Sequence, residues 1–174
     1  ACIPNLPPET GKVVDVVDGD TIKVLLEDGL IYSVRYIGID TPENTSTVEY
    51  FGAQSSAKNL ELVGGQTVTL YSDVSNKDQY GRLLRYVFVG ETFVNHELVV
   101  QGFANAVTYP PDVACSDYFA SAQNIAATSG VGLWGATPTL AVVIPIATSG
   151  GAAVCSCSYN QYNCPNFSSR SEAQ

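Results

Sequence analysis

Three strand-length segments, residues 13–18, 21–26 and 31–39, follow one another with only turns between them. The first is a β-branched apolar run. The second and third alternate in part between apolar and polar, as strands with one buried face do. Asp28-Gly29 lies between those two and supplies a hairpin turn. This succession commits the N-terminal third of the chain to antiparallel sheet. The period then changes. Phe51, Ala57, Leu60 and Val63 fall near helical spacing over residues 48–63, and Gly64-Gly65 stops that helix. Two more strands are expected at 67–71 and 83–89, the second ended by Gly90. Asn95 is expected to cap a short helix through Val100, closed by Gly102, and Ser116 to cap a third helix through about Ala127. Five strands with a helix between the third and fourth suit an α+β fold on a small closed β-barrel of the OB type. The pattern alone also permits an open sheet.

Residues that carry chemistry collect at the ends of these segments. Asp18-Gly19-Asp20-Thr21 opens the second strand, and Arg35 lies in the third. Asp40-Thr41-Pro42-Glu43 follows it, and Asp78-Gln79-Tyr80-Gly81-Arg82 precedes the last strand. Carboxylates at Asp20 and Asp40 can share a hard divalent cation, which takes oxygen ligands. Glu43 can take a proton from water. Arg35 and Arg82 offer planar forks that match phosphate oxygens. One metal site, one base and two arginines are the parts needed to cut a phosphodiester. Singly, each has a plainer reading. Asp18-Gly19-Asp20 is an ordinary turn, Asp40-Thr41-Pro42 an Asx-turn, Glu43 a solvated loop residue, and each arginine the partner of a surface acid. All five side chains together favour the chemical reading.

The blocks V-x-D-G-D-T, R-x-x-x-x-D-T-P-E and D-x-Y-G-R, in that order, resemble the staphylococcal thermonuclease family. The resemblance continues through Val94-Asn95-x-x-Leu98-Val99-x-Gln101-Gly102-x-Ala104 to Gly132-Leu133-Trp134, and so covers residues 13–134. It implies the same OB-type barrel, with Ca²⁺ held by Asp20, Asp40 and the backbone carbonyl of Thr41. It implies that Glu43 positions or deprotonates the attacking water. Arg35 and Arg82 would stabilise charge on the phosphoryl oxygens, and Tyr80 and Tyr109 would bind a phosphate or stack on a base. The implied reaction is hydrolysis of DNA and RNA to 3′-phosphate and 5′-hydroxyl ends. Single strands would be preferred, because the site must reach a splayed backbone. The chain departs from the family pattern at Val107, where a second tyrosine would precede Tyr109 by two positions. It departs again at Gln79, which replaces a lysine common beside Tyr80. Both changes weaken the grip on substrate and leave the chemistry intact. The reading from another class is a non-catalytic nucleic-acid or protein-binding OB-fold module. The joint presence of Asp20, Arg35, Asp40, Glu43 and Arg82 argues against it.

Charge narrows how a nucleic acid could be held. The formal charge is −9, with only eight Lys and Arg among 174 residues. Broad adhesion to nucleic acid rests on neutralising many phosphates, so affinity here must come from a local site and its metal. The chain begins Ala1-Cys2-Ile3-Pro4 and lacks methionine, which leads to the expectation of a cleaved upstream segment such as a signal peptide. Cys2, Cys115, Cys155, Cys157 and Cys164 suit an oxidising compartment and a secreted or extracellular protein, surface attachment included. The expected disulfides are Cys2 with Cys115, and Cys164 with Cys155 or Cys157. No cysteine has a partner histidine or a paired C-x-x-C, so zinc is not expected. His96, in the short helix, reads as a surface or packing residue, and Trp134 as a hydrophobic lock for the C-terminal segment.

The expected organisation is an arm at 1–11, the barrel domain at 12–135, an uncharged linker at 136–154 and a cysteine-containing tail at 155–174. The apolar stretch near 140–147 is too short to span a bilayer and holds Pro145. The tail resembles the opening of a small extracellular calcium-binding module, Excalibur. The acidic loop of that module is absent, so no metal site is assigned to the tail.

Overall fold

A computed structural model describes residues 2–44 and 48–135. Strands β1 (Glu9–Val16), β2 (Thr21–Leu26) and β3 (Ile31–Tyr36) form an antiparallel meander. A two-residue strand β4 (Ile39–Asp40) and helix α1 (Gly52–Val63) lead to β5 (Thr67–Tyr71), which pairs with the other edge of β1. Strand β6 (Leu83–Val89) pairs antiparallel with β5 and parallel with β3. That parallel contact closes the five-stranded barrel, and α1 sits between its third and fourth strands as expected. A short β7 (Thr92–Phe93), helix α2 (Val94–Val100), a short β8 (Asn105–Ala106), helix α3 (Ser116–Ser129) and a 3₁₀ turn (Gly132–Trp134) complete the described chain. The expected linker, the C-terminal tail and the Cys164 pairing lie outside the described residues.

The barrel interior follows from strand alternation. Ile22 and Val24 on β2, Val34 on β3, Val68 and Leu70 on β5 and Val87 on β6 are fully buried, while Lys23 between the first two faces out. Each such side chain contributes roughly 1.5–3 kcal/mol relative to exposure. Leu98 and Val99 of α2 and Phe119 of α3 extend the core beyond the barrel.

Four local expectations need correction. Strand β1 starts at Glu9, inside the expected arm, because residues 9–12 pair with residues 67–70 of β5. The expected strand 31–39 breaks at Ile37-Gly38. Gly38 has φ +77°, and a Cβ there would lie 2.5 Å from the Phe119 ring, so the chain turns under α3 at a site only glycine fits. Helix α1 starts at Gly52 rather than Val48, since Phe51 before it is left-handed (φ 71°) and Val48 pairs with Asn44. Neither expected helix cap operates. Asn95 lies within α2, buried, accepting from the Val87 N–H at 2.9 Å and donating to the Ile37 carbonyl at 2.9 Å. Ser116 is the first residue of α3, whose N-cap position is Cys115 without a side-chain cap. At Asn95, burial and long-range partners outrank local capping.

Two other expectations hold. Cys2 and Cys115 form a disulfide across 113 residues. His96 packs on α3, its ring stacked on Tyr118 at 4.5 Å between centroids. Trp134 does not show the expected hydrophobic lock: it is 38% exposed, and the turn is held by the Leu133 N–H donated to the Gly102 carbonyl at 2.8 Å. No helix among the described residues is long and apolar enough to cross a membrane.

Candidate active site

The ladder between β2 and β3 sets Thr21 opposite Arg35, so Asp20 lies beside the end of β3. The turn holding Asp20 is itself pinned. Asp18 accepts the Asp20 N–H at 3.0 Å, and the Asp18 carbonyl accepts from Asn59 of α1 at 2.8 Å. Asn59 in turn accepts the Tyr36 hydroxyl at 2.9 Å. Strand β4 pairs Asp40 with Asn105 and holds the next segment in place. Gly19 is required here, because a Cβ would lie 2.6 Å from the Thr41 hydroxyl oxygen. That close approach lets Asp20 accept both the Thr41 N–H at 2.8 Å and the Thr41 hydroxyl at 2.9 Å.

Arg35 joins the two aspartates. One guanidinium nitrogen lies 2.6 Å from Asp20 and also donates to the Ile39 carbonyl at 3.2 Å. The other lies 2.6 Å from Asp40. Asp20 is almost wholly buried, whereas the Asp40 side chain is 50% exposed. Burial pushes the Asp20 carboxyl up from its ordinary value, Arg35 opposes this, Asp18 adds to it, and the Thr41 hydrogen bonds oppose it.

The parallel β3–β6 contact pairs Arg35 with Leu84, which sets Arg35 and Arg82 on neighbouring strand ends. The two arginines line one cleft of about 370 Å³, with Ile39, Leu84, Tyr80 and Tyr109 on its walls. Asp78 shapes the Arg82 turn. It accepts the Tyr80 N–H at 2.9 Å, the Arg82 N–H at 3.0 Å and the Arg82 Nε at 2.7 Å. Burial works to raise the Asp78 carboxyl, but these hydrogen bonds and the Arg82 charge outweigh it and hold it below its ordinary value. The Arg82 guanidinium sits 5.5 Å from the centroid of the Tyr80 ring. Tyr80 and Tyr109 are 74% and 65% exposed, so their rings are presented to solvent at the cleft.

All the site residues expected from sequence except Glu43 therefore reach one end of the barrel. Asp20, Asp40, Thr41 and Arg35 touch directly. Arg35, Arg82, Tyr80 and Tyr109 share the cleft, and Arg35 belongs to both groups. Glu43 lies two residues beyond Thr41 on the same loop, exposed, with its N–H donated to the Glu49 carboxylate at 3.0 Å and its carbonyl accepting the Glu49 N–H at 2.9 Å. The sequence reading missed Glu49 and Asn59, which carry no motif. Only their partners, 6 and 41 residues away, reveal them.

The donor set suits a hard cation. Its atoms are oxygens, and both carboxylates already reach a single cation, the Arg35 guanidinium. Among the described residues no three His, Cys, Asp or Glu side chains gather on one point. Asp20 and Asp40 would therefore need the Thr41 carbonyl and water to complete a shell.

A closed OB-type barrel with paired acids and two arginines at its strand ends defines a phosphate-handling barrel. The family model described as staphylococcal nuclease homologue matches residues 33–136, from β3 through the 3₁₀ turn. The chain is 34% identical over 137 residues to a thermonuclease of Staphylococcus hyicus, covering 77% of this chain and 80% of the relative. It is 36% identical over 129 residues to a thermonuclease of Staphylococcus intermedius, covering 72% and 76%. It is 38% identical over 133 residues to the SPbeta prophage-derived endonuclease YokF of Bacillus subtilis, covering 71% of this chain but only 45% of that protein. The chain belongs to the staphylococcal nuclease homologue family.

Proposed function

We propose that this protein is a nuclease, a phosphodiesterase that hydrolyses DNA and RNA with Ca²⁺ as its metal. The observation that carries the reading is that Arg35 binds both Asp20 and Asp40 and also lines the cleft with Arg82, bringing together segments up to 62 residues apart. The thermonuclease and endonuclease names of its relatives support the same reaction class.

Asp20, Asp40 and the Thr41 carbonyl would hold the ion. When bound, Ca²⁺ supplies a positive charge that polarises the phosphoryl group and offsets the charge growing on it. The protein does the rest. Glu43 orients the attacking water and accepts its proton. Arg35 and Arg82 donate to the phosphoryl oxygens, whose charge rises in the pentacoordinate transition state. Attack in line expels the 5′ oxygen, which takes a proton from solvent, and leaves a 3′-phosphate and a 5′-hydroxyl. Tyr80 and Tyr109 offer rings for a sugar or base, a geometry that favours single strands. The Cys2–Cys115 disulfide supports an oxidising, extracellular setting.

The test is cleavage of labelled single-stranded DNA and RNA by purified protein, with Ca²⁺ and then with a chelator, followed by analysis of the new ends. Cleavage only in Ca²⁺, leaving 3′-phosphates, is the expected result. Tight binding without cleavage would favour a non-catalytic binding module instead.

A further inference from the structure

The two walls of the cleft come from separate loops, and the ring of each wall is mostly exposed. Tyr80 and Tyr109 are therefore placed by their backbones rather than by packing of their side chains. The Tyr80 wall is built by Asp78, as described. The Tyr109 wall has no such internal support. Its turn runs Tyr109-Pro110-Pro111-Asp112, closed by the Asp112 N–H donating to the Tyr109 carbonyl at 3.0 Å. The two prolines have no N–H to donate to the neighbouring loop.

Two carboxylates fasten it instead, in opposite directions. Asp112, 8% exposed at the edge of the cleft, accepts the Ser75 N–H at 2.7 Å. Asp73, 9% exposed, accepts the Ala114 N–H at 3.0 Å and the Tyr86 hydroxyl at 2.9 Å. Segment 73–75 thus grips segment 112–114, and 112–114 grips it back. The first segment continues into Asn76, whose carbonyl accepts the Leu84 N–H at 3.0 Å and an Arg85 guanidinium N–H at 3.1 Å. From there the chain enters the Asp78–Arg82 turn. Both walls are consequently tied to the same short stretch of chain.

We propose that Asp112, backed by Asp73, is a positioning residue that sets the Tyr109 wall relative to the Tyr80 wall, and so how tightly the cleft holds a nucleotide. The proposal rests on the nuclease reading. Asp112 touches neither the paired acids nor Arg82, so its effect falls on substrate binding and reaches the chemical step only through Tyr109.

The experiment is steady-state cleavage of a short fluorescent single-stranded DNA in Ca²⁺ by Asp112→Ala, Asp112→Asn, Tyr109→Ala and the Tyr109→Ala/Asp112→Ala double variant. Loss of one charge-assisted hydrogen bond predicts a KM about tenfold higher for Asp112→Ala, with kcat within about twofold. Asp112→Asn keeps an acceptor oxygen and is expected to recover most of that KM. The double variant is expected to match Tyr109→Ala alone, because Asp112 acts through that ring. An unchanged KM, a loss confined to kcat, or KM effects that multiply would overturn the proposal. If Asp112→Ala does not fold, Ser75→Pro removes the same bond from its donor side and must raise KM in the same way; an unchanged KM there is equally decisive. A wild-type protein that neither cuts nor binds the oligonucleotide removes the nucleotide reading, and the proposal with it.

Discussion

The two halves of the site are held by different means. Asp20, Asp40, Thr41 and Arg35 sit where strands end, within 21 residues of one another, and the barrel ladder aligns them. Tyr80 and Arg82 sit on a turn closed locally by Asp78, and Tyr109 on a loop whose fastenings come from far along the chain: Asp112 to Ser75 across 37 residues, Asp73 to Ala114 across 41, and Cys2 to Cys115 across 113. The acid half is aligned by the sheet, with one long-range tie from Asn59 to the Asp18 carbonyl. The Tyr109 side of the cleft depends on its ties, and Arg35 is the side chain common to both halves. On the proposed reading, a site divided in this way would let metal affinity and substrate affinity vary separately.

The disulfide offers the largest separation of the two halves. Its 113-residue span predicts a loss of about 4–5 kcal/mol of unfolding free energy on replacing Cys2 and Cys115 with alanine, by the chain-entropy account. Urea denaturation measures it. The Ca²⁺ affinity of the folded variant is expected to stay within about twofold, since neither cysteine touches the acids; a parallel fall would break the comparison. Next in size is Arg82→Ala, expected to lower turnover about a thousandfold, as loss of a transition-state donor does. Calorimetric Ca²⁺ titration of that variant should match the wild type, because the partners of Arg82 are Asp78 and Tyr80. Asn59→Ala probes the opposite half. It removes bonds to Tyr36 and to the Asp18 carbonyl in a fully buried position, at a cost of about 2–3 kcal/mol. Its Ca²⁺ affinity should weaken while oligonucleotide binding does not; the reverse pattern would contradict the division. The smallest effect expected is that of salt. Raising it from about 50 to 200 mM should change KM by less than roughly threefold, far below the loss seen when many phosphates are neutralised. A steep salt dependence in cleavage assays would show a broader contact surface than the cleft.

This division also explains what the sequence made legible. Strands β2, β5 and β6 were read to the residue, because each is a short run rich in apolar and β-branched residues bounded by turn residues. The acids and arginines were readable because they stand in short blocks whose residue types already match metal and phosphate chemistry. The ties were not readable. Asp73 and Asp112 look like loop acids, and Asn59 like a polar residue on a helix, until the fold brings their partners to them. Asn95 misled for the same reason: its local position suggests a cap, but its amide spans β6 and Ile37. The expected strand 31–39 ran through Gly38, yet the closeness of Phe119 makes that residue a corner.

The most direct test of the central claim, that one end of the barrel is a metal-assisted hydrolytic site, is Glu43→Gln measured two ways on one preparation. Ca²⁺ affinity by calorimetry is expected to remain close to wild type, and single-stranded DNA turnover to fall by about a hundredfold to ten-thousandfold. Unchanged turnover in the folded variant would remove Glu43 from the chemistry and contradict the account.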